Sequence, residues 1–141
     1  MDPTSDLTRR ILTDFDTITV VGLSADPVKS AHSVPAAMQA YGWRVIPVNP
    51  HADELLGERV YRRLADVSEP VDFVNVFRPS DQTPDIARQA VAVGAKALWL
   101  QLGIVSVEAR EIAEAAGLLY VEDRCLAVER ARHALRRPLA A

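Results

Sequence analysis

An α/β fold, with helices on both faces of a five-stranded parallel sheet, is predicted by three features of the 141-residue sequence. Short β-branched runs alternate with segments of helical periodicity. Those runs are apolar through most of their length instead of at every second position, as expected of strands covered on both faces. Glycines stand where a helical pattern must stop and turn into a strand. Strands and helices alternating through short joins require right-handed crossovers, so the sheet is parallel and the architecture is a Rossmann-like three-layer sandwich.

The elements follow in order. A short first helix is expected over residues 7 to 15, and the first strand runs from Thr17 into Gly22. Val34, Ala37, Met38 and Tyr41 recur at i, i+3, i+4 and i+7 and mark the next helix, capped by Ser33 ahead of Pro35 and ended by Gly42. Trp43 to Val48 is the second strand. Residues 51 to 70 are polar, contain Gly57 and Pro70, and read as a long crossover with at most a short strand near Val60 and Tyr61. Val71 to Val76 is the third strand. Thr83 caps the helix marked by Ile86, Ala90 and Val93, with Pro84 at its first position and Gly94 after its end. Ala97 to Leu100, a helix opened by Ser106, Gly117, and a fifth strand over Leu118 to Val121 complete the alternation. Val128, Ala131 and Leu135 mark a last helix, and residues 136 to 141 are expected to fray. With no repeat or composition break, one domain over 1–141 is expected, its core from about 11 to 133.

Composition narrows the function. Cys125 is the sole cysteine, which excludes an internal disulfide, zinc ribbons and dithiol redox sites, and fits a reducing compartment. His32, His51 and His133 lack metal-ligand spacing, so no metal is expected. A formal charge of −3 offers no general attraction to nucleic acid or an anionic membrane. The first six residues lack a secretion signal, and no apolar run approaches the roughly 18 residues of a membrane span. A cytoplasmic protein is the expectation.

In an open parallel sheet, ligands bind beyond the carboxyl ends of the strands, near the point where strand order reverses. Five loops occupy that end. The first, Gly22 to Ser33, runs into a helix N-terminus, where free N–H groups and the helix dipole favour a phosphate. Ser24, Ser30 and Ser33 add hydroxyls and Lys29 adds charge, although loop serines also serve as caps and the dinucleotide fingerprint lacks two of its glycines. The second carries Asn49, Pro50 and His51. Asn49 stands where an NAD site places a carboxylate, and a neutral amide does not repel a ribose phosphate; an ordinary Asn-Pro turn is the other reading. In the third loop Arg78 pairs with a phosphate or with Asp81 and Asp85, and Phe77 stacks on a base or joins the core. The fourth is Gln101-Leu102-Gly103-Ile104, after the strand that ends at Leu100, where the Gln101 amide meets a polar ligand arm or caps a helix. The fifth holds Cys125 beside Arg124, either a reactive thiol or a small buried hydrophobe. No nucleophile–base pair is visible, so no catalytic residue is assigned. Arg130, Arg132, Arg136 and Arg137 are expected to solvate the end of the last helix.

The residues Val21-Gly22-Leu23-Ser24, Val45-Ile46-Pro47-Val48-Asn49-Pro50, Leu56-Gly57, Val74-Asn75-Val76-Phe77-Arg78, Leu98 to Ile104, Gly117-Leu118 and Asp123-Arg124-Cys125-Leu126, in this order and spacing, resemble the CoA-binding domain family. Its members are small stand-alone proteins related to the N-terminal domain of the succinyl-CoA synthetase alpha subunit. The resemblance covers about residues 11 to 133. It implies a CoA diphosphate on the Ser24 to Ser33 loop, adenine and 3′-phosphoribose near Asn49 to His51, and a pantetheine arm passing Leu100 to Leu102 toward Cys125. The synthetase has a lysine after its second strand; here His51 and Ala52 follow, with His51 or Lys29 as substitutes. Its phosphorylated histidine belongs to a second domain, so the resemblance implies a CoA or acyl-CoA binding module without ligase activity. The residues by themselves leave two alternatives: an NAD-binding Rossmann-type enzyme, or a protein-interaction scaffold with a vestigial cleft.

Overall fold

The computed structural model describes residues 2–138. In chain order the first half holds α1 (Pro3–Asp14), β1 (Thr17–Val21), α2 (Ser30–Ala40), β2 (Arg44–Val48), β3 (Glu54–Leu55) and β4 (Glu58–Arg59). The second half holds β5 (Phe73–Val76), α3 (Thr83–Ala92), β6 (Ala97–Leu100), α4 (Val107–Ala115), β7 (Leu119–Val121) and α5 (Leu126–Arg132). Five strands form one parallel sheet in the order β2-β1-β5-β6-β7, with β3 and β4 as a separate antiparallel hairpin. The order reverses at β1: β2 lies on one side and every later sheet strand on the other. The crevice between the loops after β1 and β5 is therefore the topological switch point.

Residues along each strand alternate between two cores. Val74, Val76, Leu98 and Leu100 pack under α3 and α4, against Ile86, Ala90, Ala109 and Ala113. Ile18, Val20, Phe73 and Trp99 face α1, α2 and α5, against Ile11, Leu12, Met38 and Leu126. Trp99 lies fully buried, and its indole N–H donates to the Arg124 carbonyl at 2.8 Å, which fixes the segment ahead of α5 to the sheet.

Several expected boundaries are corrected. The first helix begins at Pro3, with the Asp2 carboxylate accepting the Ser5 N–H at 2.8 Å. Ser33 does not cap α2; it lies inside a helix that starts at Ser30, with Pro35 in its interior. Thr83 does not cap α3 either, because a 3₁₀ turn over Ser80–Gln82 leads into the helix and the Thr83 hydroxyl donates back to the Ser80 carbonyl at 2.7 Å. Ser106 does cap α4, accepting from Ala109 N–H at 3.0 Å. The crossover holds the β3–β4 hairpin, and Tyr61 bridges Val48. α5 ends at Arg132, leaving Leu135 outside it and Val128 52% exposed.

The chain beyond α5 is tied down as far as Pro138; 139–141 of the expected frayed end lie outside the described residues. Arg137 donates its backbone N–H to the Tyr41 carbonyl at 2.8 Å and Nη1 to the Thr13 carbonyl at 2.6 Å. A Cβ at Gly42, whose φ is +104°, would lie 2.1 Å from the Arg137 carbonyl oxygen, so glycine is needed for the tail to cross there. Arg130 stacks 3.6 Å from the Tyr41 ring centroid, and Arg132 reaches the buried Glu129 at 3.1 Å. Arg130 and Arg137 thus fasten helices together instead of merely solvating a helix end, while Arg132 pairs within α5.

Candidate ligand-binding site

At the switch point the β1 loop passes beneath Arg78. Gly22 has φ +91°, donates its N–H to the Val48 carbonyl at 2.9 Å, and lies so close that a Cβ would sit 2.9 Å from Arg78 Cδ. Glycine thus lets the half-buried Arg78 stem lie across the loop. The Arg78 Nε donates to Gln82 Oε1 at 3.0 Å, and among the described residues the guanidinium makes no ion pair, with neither Asp81 nor Asp85. Its charge is available to an anion.

The loop is held by its own short-range bonds. Ser24 Oγ accepts the Asp26 N–H and Asp26 Oδ1 accepts the Val28 N–H, both at 3.0 Å. Ser24 N–H crosses to the Ala31 carbonyl at 3.0 Å, and His32 Nδ1 lies 2.7 Å from the Ser24 carbonyl. The Ala31 carbonyl is free for this because Pro35, four residues on, has no N–H to give it. Lys29 occupies the N-cap of α2, and no side chain caps the helix. The exposed Lys29, Ser30 and Ser33 therefore surround a first turn whose N–H groups have no capping side chain.

Asn49 joins the first two loops. Its Nδ2 donates to the Leu23 carbonyl at 2.8 Å, while Oδ1 accepts the His51 and Ala52 N–H groups at 2.7 and 3.0 Å. Pro50 and His51 are exposed beside it. Sequence reasoning missed Arg62: its guanidinium donates to the Asn49 carbonyl at 3.2 Å, to the Ala52 carbonyl, and to Asp53 at 2.6 Å. No local signal reveals it, because 11 residues of the crossover separate it from Pro50.

The remaining expected residues divide. Phe77 is half-buried against the α1/α2/α5 core and donates its N–H to the Val21 carbonyl at 2.9 Å. Leu100, which the pantetheine arm was expected to pass, has its side chain fully buried in the other core. Gln101, 4% exposed, turns its Oε1 to the Leu126 N–H at 3.4 Å and so sits at the head of α5. Leu102 is 65% exposed. With the half-buried Cys125 it lines a groove of about 710 Å³ that follows β7, whereas Gly22, Ser24, Asn49 and Arg78 lie outside that groove. The structure thus brings together the first three loops, with the Leu102–Cys125 end as a separate neighbour. Tyr120, beside the groove, has its phenol pushed above the usual range by burial and by its hydrogen bond to Glu122.

The class is that of Rossmann-like α/β proteins, here with an uncapped helix N-terminus and an arginine without an ion pair among the described residues at the switch point. Residues 16–131 match the CoA binding domain family, and the chain belongs to it. It is 39% identical over 123 residues to YneT of Bacillus subtilis, an uncharacterized protein, covering 87% of this chain and 91% of that one. A solved structure from Thermus thermophilus superposes with a TM-score of 0.86 at 39% identity, covering 94% of this chain and 98% of that one. The chain is also 21% identical over 119 residues to an ADP-forming acetate–CoA ligase of Methanocaldococcus jannaschii, covering 79% of this chain and 17% of the ligase. The apo dinucleotide-forming acetyl-coenzyme A synthetase 1 of Candidatus Korarchaeum cryptofilum matches with a TM-score of 0.65 at 27% identity, over 74% of this chain and 25% of the synthetase. This protein is therefore related to one part of CoA ligases. No helix among the described residues is long and apolar enough to cross a membrane.

Proposed function

We propose that this protein binds coenzyme A or an acyl-CoA and carries no ligase activity of its own. The observation that carries the reading is the pairing of an uncapped α2 N-terminus with Arg78, whose stem crosses Gly22 at the start of the same loop and whose guanidinium makes no ion pair among the described residues. Together they suit a diphosphate. The adenine and 3′-phosphoribose lie near Asn49, Pro50 and His51, and the pantetheine arm leads past Gln101 and Leu102 toward Cys125. Asn49 acts mainly by position, since both Oδ1 acceptor sites and one Nδ2 hydrogen already hold the loops together. Arg62 supplies the cation at this loop that His51 or Lys29 was expected to provide. The chain acts as a binding module because these residues include no nucleophile held by a base.

Calorimetric titration of CoA, 3′-dephospho-CoA and NAD at one salt concentration tests the proposal. CoA is expected to bind at least about tenfold more tightly than NAD, about 1.4 kcal/mol. NAD binding as tightly or more tightly would overturn it.

A further inference from the structure

The two edges of the sheet are treated differently. At β2, Pro47 has no N–H, its carbonyl accepts the Tyr61 N–H at 3.0 Å, and Asn49 N–H donates to the Tyr61 carbonyl at 2.9 Å. That edge is closed by the crossover. At β7, Leu119 N–H donates inward to the Lys96 carbonyl at 2.9 Å, and the alternation of a parallel ladder then points the Tyr120 N–H and C=O outward. The edge is open, and the groove of about 710 Å³ runs along it between α4 and the α1/α5 wall.

Large apolar side chains gather here. Among the described residues five stand exposed: Leu102 (65%), Val105 (47%) and Val128 (52%) line this groove, Val107 (75%) opens the adjoining α4, and Val28 is the exception. A cluster of this kind marks a surface that meets another molecule. Val107, Arg110 and Glu114 form one stripe of α4, spaced i, i+3 and i+7. Arg110 and Glu114 are 48% and 56% exposed; Arg110 lies over the Tyr120 ring, 3.6 Å from Glu122 and 3.8 Å from Glu114.

We propose that the occupant is a second copy of this chain, docked edge to edge about a two-fold axis through Tyr120. Antiparallel pairing of two β7 strands lets each Tyr120 exchange both outward backbone bonds with its counterpart, continuing the sheet from one copy into the next. The axis stands perpendicular to the sheet, so α4 meets α4 of the other copy in antiparallel sense. Arg110 of each then faces Glu114 of the other, while Val105, Val107 and Val128 are covered. The choice of occupant rests on this charge pattern: a plus and a minus one helical turn apart complement their own copies under a two-fold. This inference does not depend on what the switch-point loops bind.

Sedimentation equilibrium of the full chain, with and without CoA, tests it. The wild type is expected to dimerise at micromolar concentration. Val128→Asp, at an exposed position, and Arg110→Glu should each weaken the dimer at least about tenfold, about 1.4 kcal/mol. Arg110→Glu combined with Glu114→Arg should restore it, and the Tyr120 amide should exchange more slowly in wild type than in Val128→Asp. A wild-type chain that stays monomeric overturns the proposal, as does a dimer indifferent to both single substitutions or one not restored by the charge swap. Circular dichroism of each variant shows that loss of the dimer is not loss of the fold.

Discussion

Ser24 N–H donates to the Ala31 carbonyl at 3.0 Å, across the mouth of the first loop, because the ring of Pro35 leaves that carbonyl without its helical partner. A proline inside a helix usually costs a bond; here the freed acceptor fastens the loop onto the helix it precedes.

Pro35→Ala should therefore loosen the loop without unfolding the chain. The new N–H competes for the Ala31 carbonyl, so the Ser24 amide should exchange with solvent faster. CoA affinity should fall by up to about tenfold, the value of roughly one hydrogen bond of 0.5–1.5 kcal/mol. Hydrogen exchange and calorimetry check both; unchanged exchange at Ser24 would show that another contact holds the loop.

Gly22→Ala and Arg78→Ala should separate fold from binding. Alanine at φ +91°, 2.9 Å from Arg78 Cδ, is expected to cost about 1–3 kcal/mol of stability and to displace the arginine. Arg78→Ala leaves the backbone relaxed and should lower affinity with little change in melting temperature. If both variants lose stability alike, Arg78 is a packing residue.

Lys29→Ala should weaken CoA, 3′-dephospho-CoA and NAD together, by on the order of 1–2 kcal/mol and less at high salt, since it faces the diphosphate they share. Arg62→Ala should instead narrow the gap between CoA and 3′-dephospho-CoA. An Arg62→Ala variant that keeps the full gap would return phosphate recognition to His51.

A pH prediction follows from the far end of the sheet. The hydrogen bond from Arg44 holds the Glu69 carboxyl below its usual value of 4.5. A carboxylate with a lowered folded-state pKa contributes stability that is fully present above the unfolded value and is lost as pH falls through the folded one. The melting-temperature difference between wild type and Glu69→Gln should thus be largest near neutrality and vanish in acid. Both groups are well exposed, so the difference should be small at any pH and smaller still in high salt.

The sheet strands and their glycine joints were legible in the sequence because both signals are local: buried strands are short β-branched runs, and a chain reversing after a helix needs a positive φ within a residue or two. Local chemistry also marked the first loop and Arg78. It misplaced Ser33 and Thr83 as caps because a serine or threonine before a proline carries the same local signature whether the helix starts there or a turn earlier. What only the tertiary structure decided depends on residues that the sequence keeps apart. Asn49 has to be an amide because its Nδ2 meets the Leu23 carbonyl 26 residues away, a bond a carboxylate cannot donate. Arg62 reaches the second loop only because the crossover folds back on β2, and Arg137 clamps α1 to α2 from the opposite end of the chain. Strand order, and with it one closed edge and one open, arises from which strands pair, and a parallel pairing leaves no mark on the residues of either strand alone.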